Sequence, residues 1–439
     1  MCINYNSKER IKFNLSKLNS EAWKTAAKLT ETYLGKNIKA NQLLDSLQEG
    51  LSERERATCQ ALFLGALRNG HRVNTVLKPF IRRKPRKLIE AIILITGYEI
   101  LSGQKEKIPQ IIHHSVESSK QLVKESETRL LNALLRKLPD AIDTVHSDNR
   151  PDVFFSHPGW LFKRWNKTFG LPTTVKLMEW NQKIPTTYLK FYDTPETLPN
   201  GLEPTQWNNF YKVTAEASWQ KDIRPFLNRG KVYVKDPSTR LAPSLLAPES
   251  GEQILDLCAA PGGKTYDLAY QMKLNGRIVA LDLPGDRIER LRKNLRALAN
   301  QSSLQCSILE ADLLELSDRR FREKQLPSRY DAVLLDAPCS NTGVIQRRTD
   351  VKWRLSPKDI NKCADLQRQL IAAASNHVKP GGRLVYSTCS IDPDENQAVV
   401  DDFLKSPKGR RFILKESVIS LPWETGHDGA GAFLLVANQ

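Results

Sequence analysis

Residues 254–265 read Ile–Leu–Asp–Leu–Cys–Ala–Ala–Pro–Gly–Gly–Lys–Thr, an apolar run that breaks at a Pro–Gly–Gly turn and reopens as a helix. A short apolar run with a carboxylate inside it, Ile254 to Leu257, is the pattern of a central parallel strand covered on both faces. The turn lets the backbone approach a ligand, and a helix beginning near Lys264 points its free N–H groups into the same space. An ordinary strand-to-helix connection also looks like this. What tips the reading is a second apolar run, Arg277 to Leu281, that ends in Asp282 at the spacing from which a carboxylate takes a ribose diol. The stretch therefore reads as a nucleotide-cofactor site.

The chain around it has 439 residues, enough for two or three cores. Its 40% hydrophobic and 26% charged residues are those of a soluble globular protein. No apolar run approaches the roughly 18 residues of a membrane span, and the N-terminus lacks a secretory h-region. Those features exclude a membrane protein and lead us to expect a cytoplasmic one. The seven cysteines are scattered, without a Cys–x–x–Cys pair or a His at zinc spacing, so neither a disulfide framework nor a metal site is expected. A net charge of +17 suits a polyanionic partner, best a nucleic acid.

Taken in order, residues 1–145 carry helical periodicity almost throughout, which predicts an all-α bundle. Its basic block of Lys78, Arg82, Arg83, Lys84, Arg86 and Lys87 reads equally as an RNA phosphate contact or a solvated face. His113 and His114 read as structural or solvent-facing. Residues 146–230 mix a helix over 158–168, bearing Trp160, Phe162 and Trp165, with a strand candidate over 187–192, a small α+β module. From 231 to 439 strands and helices alternate: Cys306–Leu309 leads to Asp312, Ala332–Leu335 to Asp336, and Arg383–Ser387 to Cys389, with Ser356–Pro357 opening a helix between the last two. The alternation predicts a doubly wound parallel sheet with its ligands beyond the carboxyl ends of the strands, where Asp282, Asp312, Asp336 and Cys389 all fall.

Cys339, in Asp–Ala–Pro–Cys–Ser340, and Cys389, in Ser–Thr–Cys–Ser390, follow strands of one sheet and should reach one crevice. A thiolate adds to C6 of a pyrimidine, which makes C5 electron-rich enough to attack an electrophilic methyl group. A second thiol can help remove the C5 proton and expel the enzyme. Asp336 is placed to hydrogen-bond the base edge near N3 as charge develops on the ring. Spacing does not rank the two thiols.

Residues 255–265, Leu335–Ser340 with Thr342–Gly–Val344 and Asp350–Val–Lys–Trp353, and Tyr386–Ser390 with Pro393, Glu395 and Asn396 resemble the RsmB/Nop2/Sun family of RNA (cytosine-5)-methyltransferases. Upstream, Phe63–Arg68, Tyr98 and Leu131–Arg136 resemble a NusB-type RNA-binding domain. The resemblance implies a NusB-like bundle (1–145), a small α+β linker module (146–230) and a Rossmann-like class I methyltransferase domain (231–439). It implies S-adenosylmethionine against Cys258, Ala259, Ala260, Pro261, Gly262, Gly263 and Lys264, with Asp282 on the ribose, Asp312 near the adenine, and Asp336 near the methionine end and the base. Cys389 would be the nucleophile and Cys339 the cysteine that assists product release. The implied activity is 5-methylcytosine formation in 16S rRNA by a monomer that uses no metal and touches no membrane. Transfer RNA or another RNA as substrate, or a non-catalytic RNA-binding protein on a relic fold, are the rivals. Asn341 and Thr349 depart from the family pattern and are expected to alter the substrate-side loop without touching either thiol. Leu189–Lys–Phe–Tyr192 departs in the middle module.

Overall fold

The computed structural model describes residues 20–47, 50–193, 197–214, 216–228, 232–299 and 303–439. The expected boundary at 230/231, the N-terminal residues and Cys2 lie outside them. Backbone contacts group the chain into two compact units, one running to Lys183 and including Arg348–Arg354, the other holding the rest.

The first unit is helical, as its periodicity requires: α1 (Ser20–Gly35), α2 (Ala40–Asp45), α3 (Glu53–Leu77), α4 (Lys87–Ser102), α5 (Ile108–Ser119), α6 (Glu125–Asp143), α7 (Pro151–Phe154), α8 (Gly159–Phe169) and α9 (Leu171–Gln182). Ser52 caps α3 by accepting from the Glu55 N–H while the Glu55 carboxylate takes the Ser52 N–H at 2.8 Å, a capping box. The run 88–100 has no polar stripe, and α4 is accordingly buried on nearly every face. It packs on α3 through glycines: a Cβ on Gly65 would lie 2.3 Å from the Tyr98 ring, and one on Gly97 2.5 Å from Val73. The His114 ring meets Trp23 edge-on, and Trp165 is core, while Trp160 and Phe162 are half-buried. Lys78, Arg82, Arg83, Lys84 and Arg86 of the basic block are exposed and Lys87 is half-buried, with Arg86 tied to Glu127 at 2.7 Å. Helices α7 to α9, expected in the middle module, belong to this unit.

The second unit holds two sheets. Strands β1 (Tyr188–Phe191), β2 (Leu202–Pro204), β3 (Phe210–Val213) and β4 (Val232–Val234) form an antiparallel sheet in the order β2-β3-β1-β4, with α10 (Arg224–Asn228) between β3 and β4 in the chain. After α11 (Leu241–Leu246) come β5 (Gln253–Leu257), α12 (Gly263–Gln271), β6 (Gly276–Asp282), α13 (Asp286–Ala299), β7 (Leu304–Glu310), α14 (Asp318–Glu323) and β8 (Tyr330–Asp336). They are followed by α15 (Val351–Arg354), α16 (Pro357–Ala374), β9 (Val378–Thr388), α17 (Gln397–Lys405), β10 (Phe412–Ser420), α18 (Pro422–Thr425) and β11 (Ala430–Ala437). The large sheet runs β10-β11-β9-β8-β5-β6-β7.

Five of its strands, β5 to β9, pair in parallel as expected, but β11 and β10 pair antiparallel. The correction has a simple cause. The chain turns back from β10 into β11 through the short α18, with no crossover long enough to restore a parallel direction. Helix α13 covers the sheet through Ile288, Leu291, Leu295 and Leu298, all buried. Ser356 caps α16 with Asp359, as the Ser–Pro pair predicts.

Helix α15 counts with the first unit, where Lys352 donates to the Arg68 and Ser156 carbonyls at 2.8 and 2.6 Å and the Trp353 indole to the Leu67 carbonyl at 2.7 Å. Among the described residues no helix is long and apolar enough to cross a membrane.

Two outcomes test this packing. Gly65→Ala drives a methyl group into the Tyr98 ring and lowers the unfolding free energy by about 1–3 kcal/mol in denaturant titrations. Glu99 is buried beneath Trp23, whose indole donates to Oε2 at 3.1 Å, and burial lifts its acid to about 8. The unfolded chain releases that proton near pH 4.5 and the folded chain only near 8, so stability drains away across that window as pH rises. Glu99→Gln should be more stable than wild type at pH 8 by an amount on the order of a few kcal/mol, with the gap closing at pH 5. Parallel stability curves would contradict the assignment.

Candidate active site

The glycine turn sits at the carboxyl end of β5, and its shape is set by residues at the ends of two neighbouring elements. Cys258 leaves the strand in a left-handed conformation (φ 58°), and Gly262 (φ 101°) caps α12. A Cβ on Gly262 would meet Leu291 of α13 at 2.9 Å, so only glycine serves there. Asp282, 3% exposed at the end of β6, accepts from the Ala260 N–H at 2.8 Å and the Leu283 N–H at 2.9 Å. Arg287 pairs with that carboxylate at 3.4 Å and donates to the Ala260 carbonyl at 2.7 Å, while the Asn294 amide holds the Pro261 carbonyl at 2.8 Å. The carboxylate read from sequence as a ribose ligand is thus also the post around which Ala259 to Gly263 turn. The Cys258 thiol is pushed up to about 12 by burial and then by Asp282 and Asp336, which disfavours its thiolate.

Asp256, inside β5, accepts from the Thr265 hydroxyl at 2.6 Å, and burial lifts its acid to about 7. One residue before Thr265, Lys264 reaches across to Asp336 at the end of β8 at 2.6 Å, and Ser387 donates to the other oxygen of Asp336 at 3.0 Å. Burial draws the Lys264 ammonium down, but Asp336, followed by the charge on Cys389, outweighs it and raises the group overall. A fixed positive charge therefore stands between the glycine turn and the thiols.

Parallel pairing of β8 with β9 sets Asp336 opposite Ser387 and so carries the Cys339 and Cys389 loops side by side. Their sulfurs lie 3.1 Å apart, both half-buried. The hydrogen bond to Cys389 holds the Cys339 thiol well above its usual range, reinforced by burial and by the charges of Cys389 and Glu395. Of the residues singled out in the sequence, the structure gathers the glycine turn, Asp282, Lys264, Asp336 and both cysteines along one edge. Asp312 stands further out, after β7, where its carboxylate accepts from the Leu314 N–H at 2.9 Å.

Three features escaped the sequence reading. Glu395, fully buried, accepts from the Ser340 N–H at 2.8 Å, from the Ser340 and Ser390 hydroxyls and from Gln367, and so ties the two cysteine loops together. In the sequence Glu395 stood only as part of a family motif, and the repeated Cys–Ser pair was the trace of its role. Lys235 donates to the Gly263 carbonyl at 2.7 Å from within a buried ion pair with Asp267, whose other oxygen takes the Tyr192 hydroxyl at 2.6 Å. Asn341 corrects an expectation. Its side chain does touch a thiol, Oδ1 accepting from Cys389 at 3.3 Å, while Nδ2 donates to the Cys339 backbone carbonyl at 2.7 Å from a left-handed backbone.

The model of the 16S rRNA methyltransferase RsmB/F family matches residues 243–420, and that of the NusB family residues 16–140. The ribosomal RNA small subunit methyltransferase B of Cronobacter sakazakii is 30% identical over 425 residues, covering 92% of this chain and 96% of that one. Its counterpart from Escherichia coli O17:K52:H18 is 28% identical and covers 87% and 89%. The solved structure of PH0851 has the same fold, with a TM-score of 0.72 at 22% identity over 94% of this chain and 98% of that one. The protein is therefore an S-adenosylmethionine-dependent RNA methyltransferase with an N-terminal NusB domain, and it belongs to the RsmB/F family.

Proposed function

We propose that the protein methylates C5 of one cytosine in small-subunit (16S) rRNA through a covalent bond between Cys389 and C6 of the base. The observation that carries this reading is the pair of sulfurs, 3.1 Å apart, delivered by adjacent parallel strands beside the Lys264–Asp336 ion pair. A structural cysteine needs neither the second thiol nor the neighbouring ammonium.

The donor set fits S-adenosylmethionine. The N–H groups opening α12 and the Lys264 ammonium suit its carboxylate, Asp282 its ribose hydroxyls, Asp336 the cationic methionine end and Asp312 the adenine side. Each carboxylate oxygen accepts more than one hydrogen bond, so the backbone contacts of Asp282 do not preclude this role. When bound, the cofactor supplies an electrophilic methyl group. The chain's own residues do the rest. Lys264 favours the thiolate of Cys389, which forms the bond to C6. Asp336 passes the proton that Cys389 gives up to N3 of the base, which neutralises the charge that builds on the ring, and takes it back as the ring is restored. Cys339, having given its own proton to solvent, takes the C5 proton as a thiolate; the electrons of the C5–H bond restore the ring double bond as the Cys389–C6 bond breaks and releases the Cys389 thiolate. The cytosine must leave its stack to reach these sulfurs.

The remaining assignments follow the same reading. Residues 1–145 bind structured RNA, with the exposed block of Lys78, Arg82, Arg83 and Lys84 facing phosphates. Residues 146–230 link that domain to the catalytic domain of 231–439. The enzyme works in the cytoplasm as a monomer, and among the described residues no cluster of side chains suits a metal ion.

Transfer of labelled methyl from S-adenosylmethionine to unmodified 16S rRNA tests the proposal. Cys389→Ala should lower the rate by at least about a thousandfold. Cys339→Ala should instead accumulate a denaturant-resistant protein–RNA adduct. Tight RNA binding by a wild-type protein that transfers no methyl group would overturn it.

A further inference from the structure

Asn341 opens the 3-10 turn Thr342–Val344 with φ 63° and ψ 28°, a left-handed conformation that asparagine adopts more readily than most residues. Its Nδ2 donates to the Cys339 carbonyl at 2.7 Å, which settles the direction of the amide: Oδ1 faces Cys389 and accepts its S–H at 3.3 Å. The backbone N–H of the same residue donates to the Cys339 sulfur. One residue thus presents an acceptor to one thiol and a donor to the other. An acceptor stabilises a neutral thiol and opposes its ionisation, whereas a donor favours the thiolate.

We infer that Asn341 is a positioning residue that restrains ionisation of the Cys389 thiol in the resting enzyme and fixes it against Cys339, an inference that rests on reading Cys389 as the nucleophile. The restraint acts against Lys264, a cation near Cys389 with Asp336 behind it. Among the described residues, ionisable groups that also act on the pair include Cys339 and Glu395 from their loops, Cys363 of α16 and Tyr386 of β9. All of these are the same in the variants proposed below. A nucleophile held in this way spends less time as a free thiolate exposed to oxidants and stray electrophiles.

The test uses the whole protein without RNA or cofactor, iodoacetamide as probe, and peptide mass spectrometry to follow Cys389 alone. Asn341→Gly keeps the left-handed backbone and deletes the amide. Asn341→Asp keeps the shape, tolerates the same dihedral and places a negative charge beside the sulfur. Asn341→Gly should alkylate Cys389 about 3- to 10-fold faster than wild type at pH 7, with its rate–pH curve displaced to lower pH. Asn341→Asp should react more slowly, with the curve displaced to higher pH. A purely structural role would change melting temperature without moving the two curves in opposite directions. Curves that coincide with wild type in both variants, or move together, overturn the inference. Methyl transfer, assayed in parallel, separates the two readings: opposed curves in an enzyme inert toward cytosine leave this inference standing and overturn the proposed function, and unmoved curves in an active enzyme do the reverse.

Discussion

The buried carboxylate of Glu395 clamps the two cysteine loops together. It draws in Ser340, the residue after Cys339, and Ser390, the residue after Cys389, and is itself steadied by Gln367 of α16. Burial raises its acid, and the hydrogen bonds from both serines work the other way by satisfying the charged form. Buried polar groups of this kind are costly unless fully partnered, and a partnered one specifies a unique arrangement. The strand register alone sets Asp336 beside Ser387, and Glu395 carries that alignment on to Cys339, three residues after Asp336, and Cys389, two after Ser387.

A second chain of contacts ties the glycine turn to the thiols. Asp282 and Arg287 shape the turn from the β6 side, Lys235 anchors the Gly263 carbonyl from below, and Lys264 leaves the first turn of α12 to reach Asp336. The same helix therefore offers N–H groups to a ligand on one side and an ammonium to the sulfurs on the other. Under the proposed function, cofactor binding and thiol ionisation are coupled through Lys264, whose charge Asp336 and Cys389 uphold against burial.

Much of this was legible in the chain because it depends on local pattern. Apolar runs ending in Asp282, Asp336 and Thr388 name the strands and their carboxyl ends, and Pro–Gly–Gly names the turn. Strand ends also brought Cys339 and Cys389 together, but contacts between distant residues away from those ends were not legible. Glu395 meets Ser340 across 55 residues and Lys235 meets Asp267 across 32, and nothing in periodicity links such positions. Direction was equally hidden: an apolar run reads the same in β10 and β11, which run antiparallel, as in β8 and β9, which do not. Asn341 was visible as a departure in type, but only the structure shows that its amide turns onto the Cys389 thiol.

The claim on which the account turns is that Cys389, not Cys339, bonds to the base. An RNA substrate carrying 5-fluorocytosine at the target tests it directly, because fluorine at C5 cannot leave as a proton and the reaction halts at the adduct. Peptide mapping of the trapped complex formed with S-adenosylmethionine should find the nucleotide on Cys389. Attachment to Cys339, or an enzyme that turns over unmodified RNA yet leaves no adduct with the fluorinated one, would contradict it.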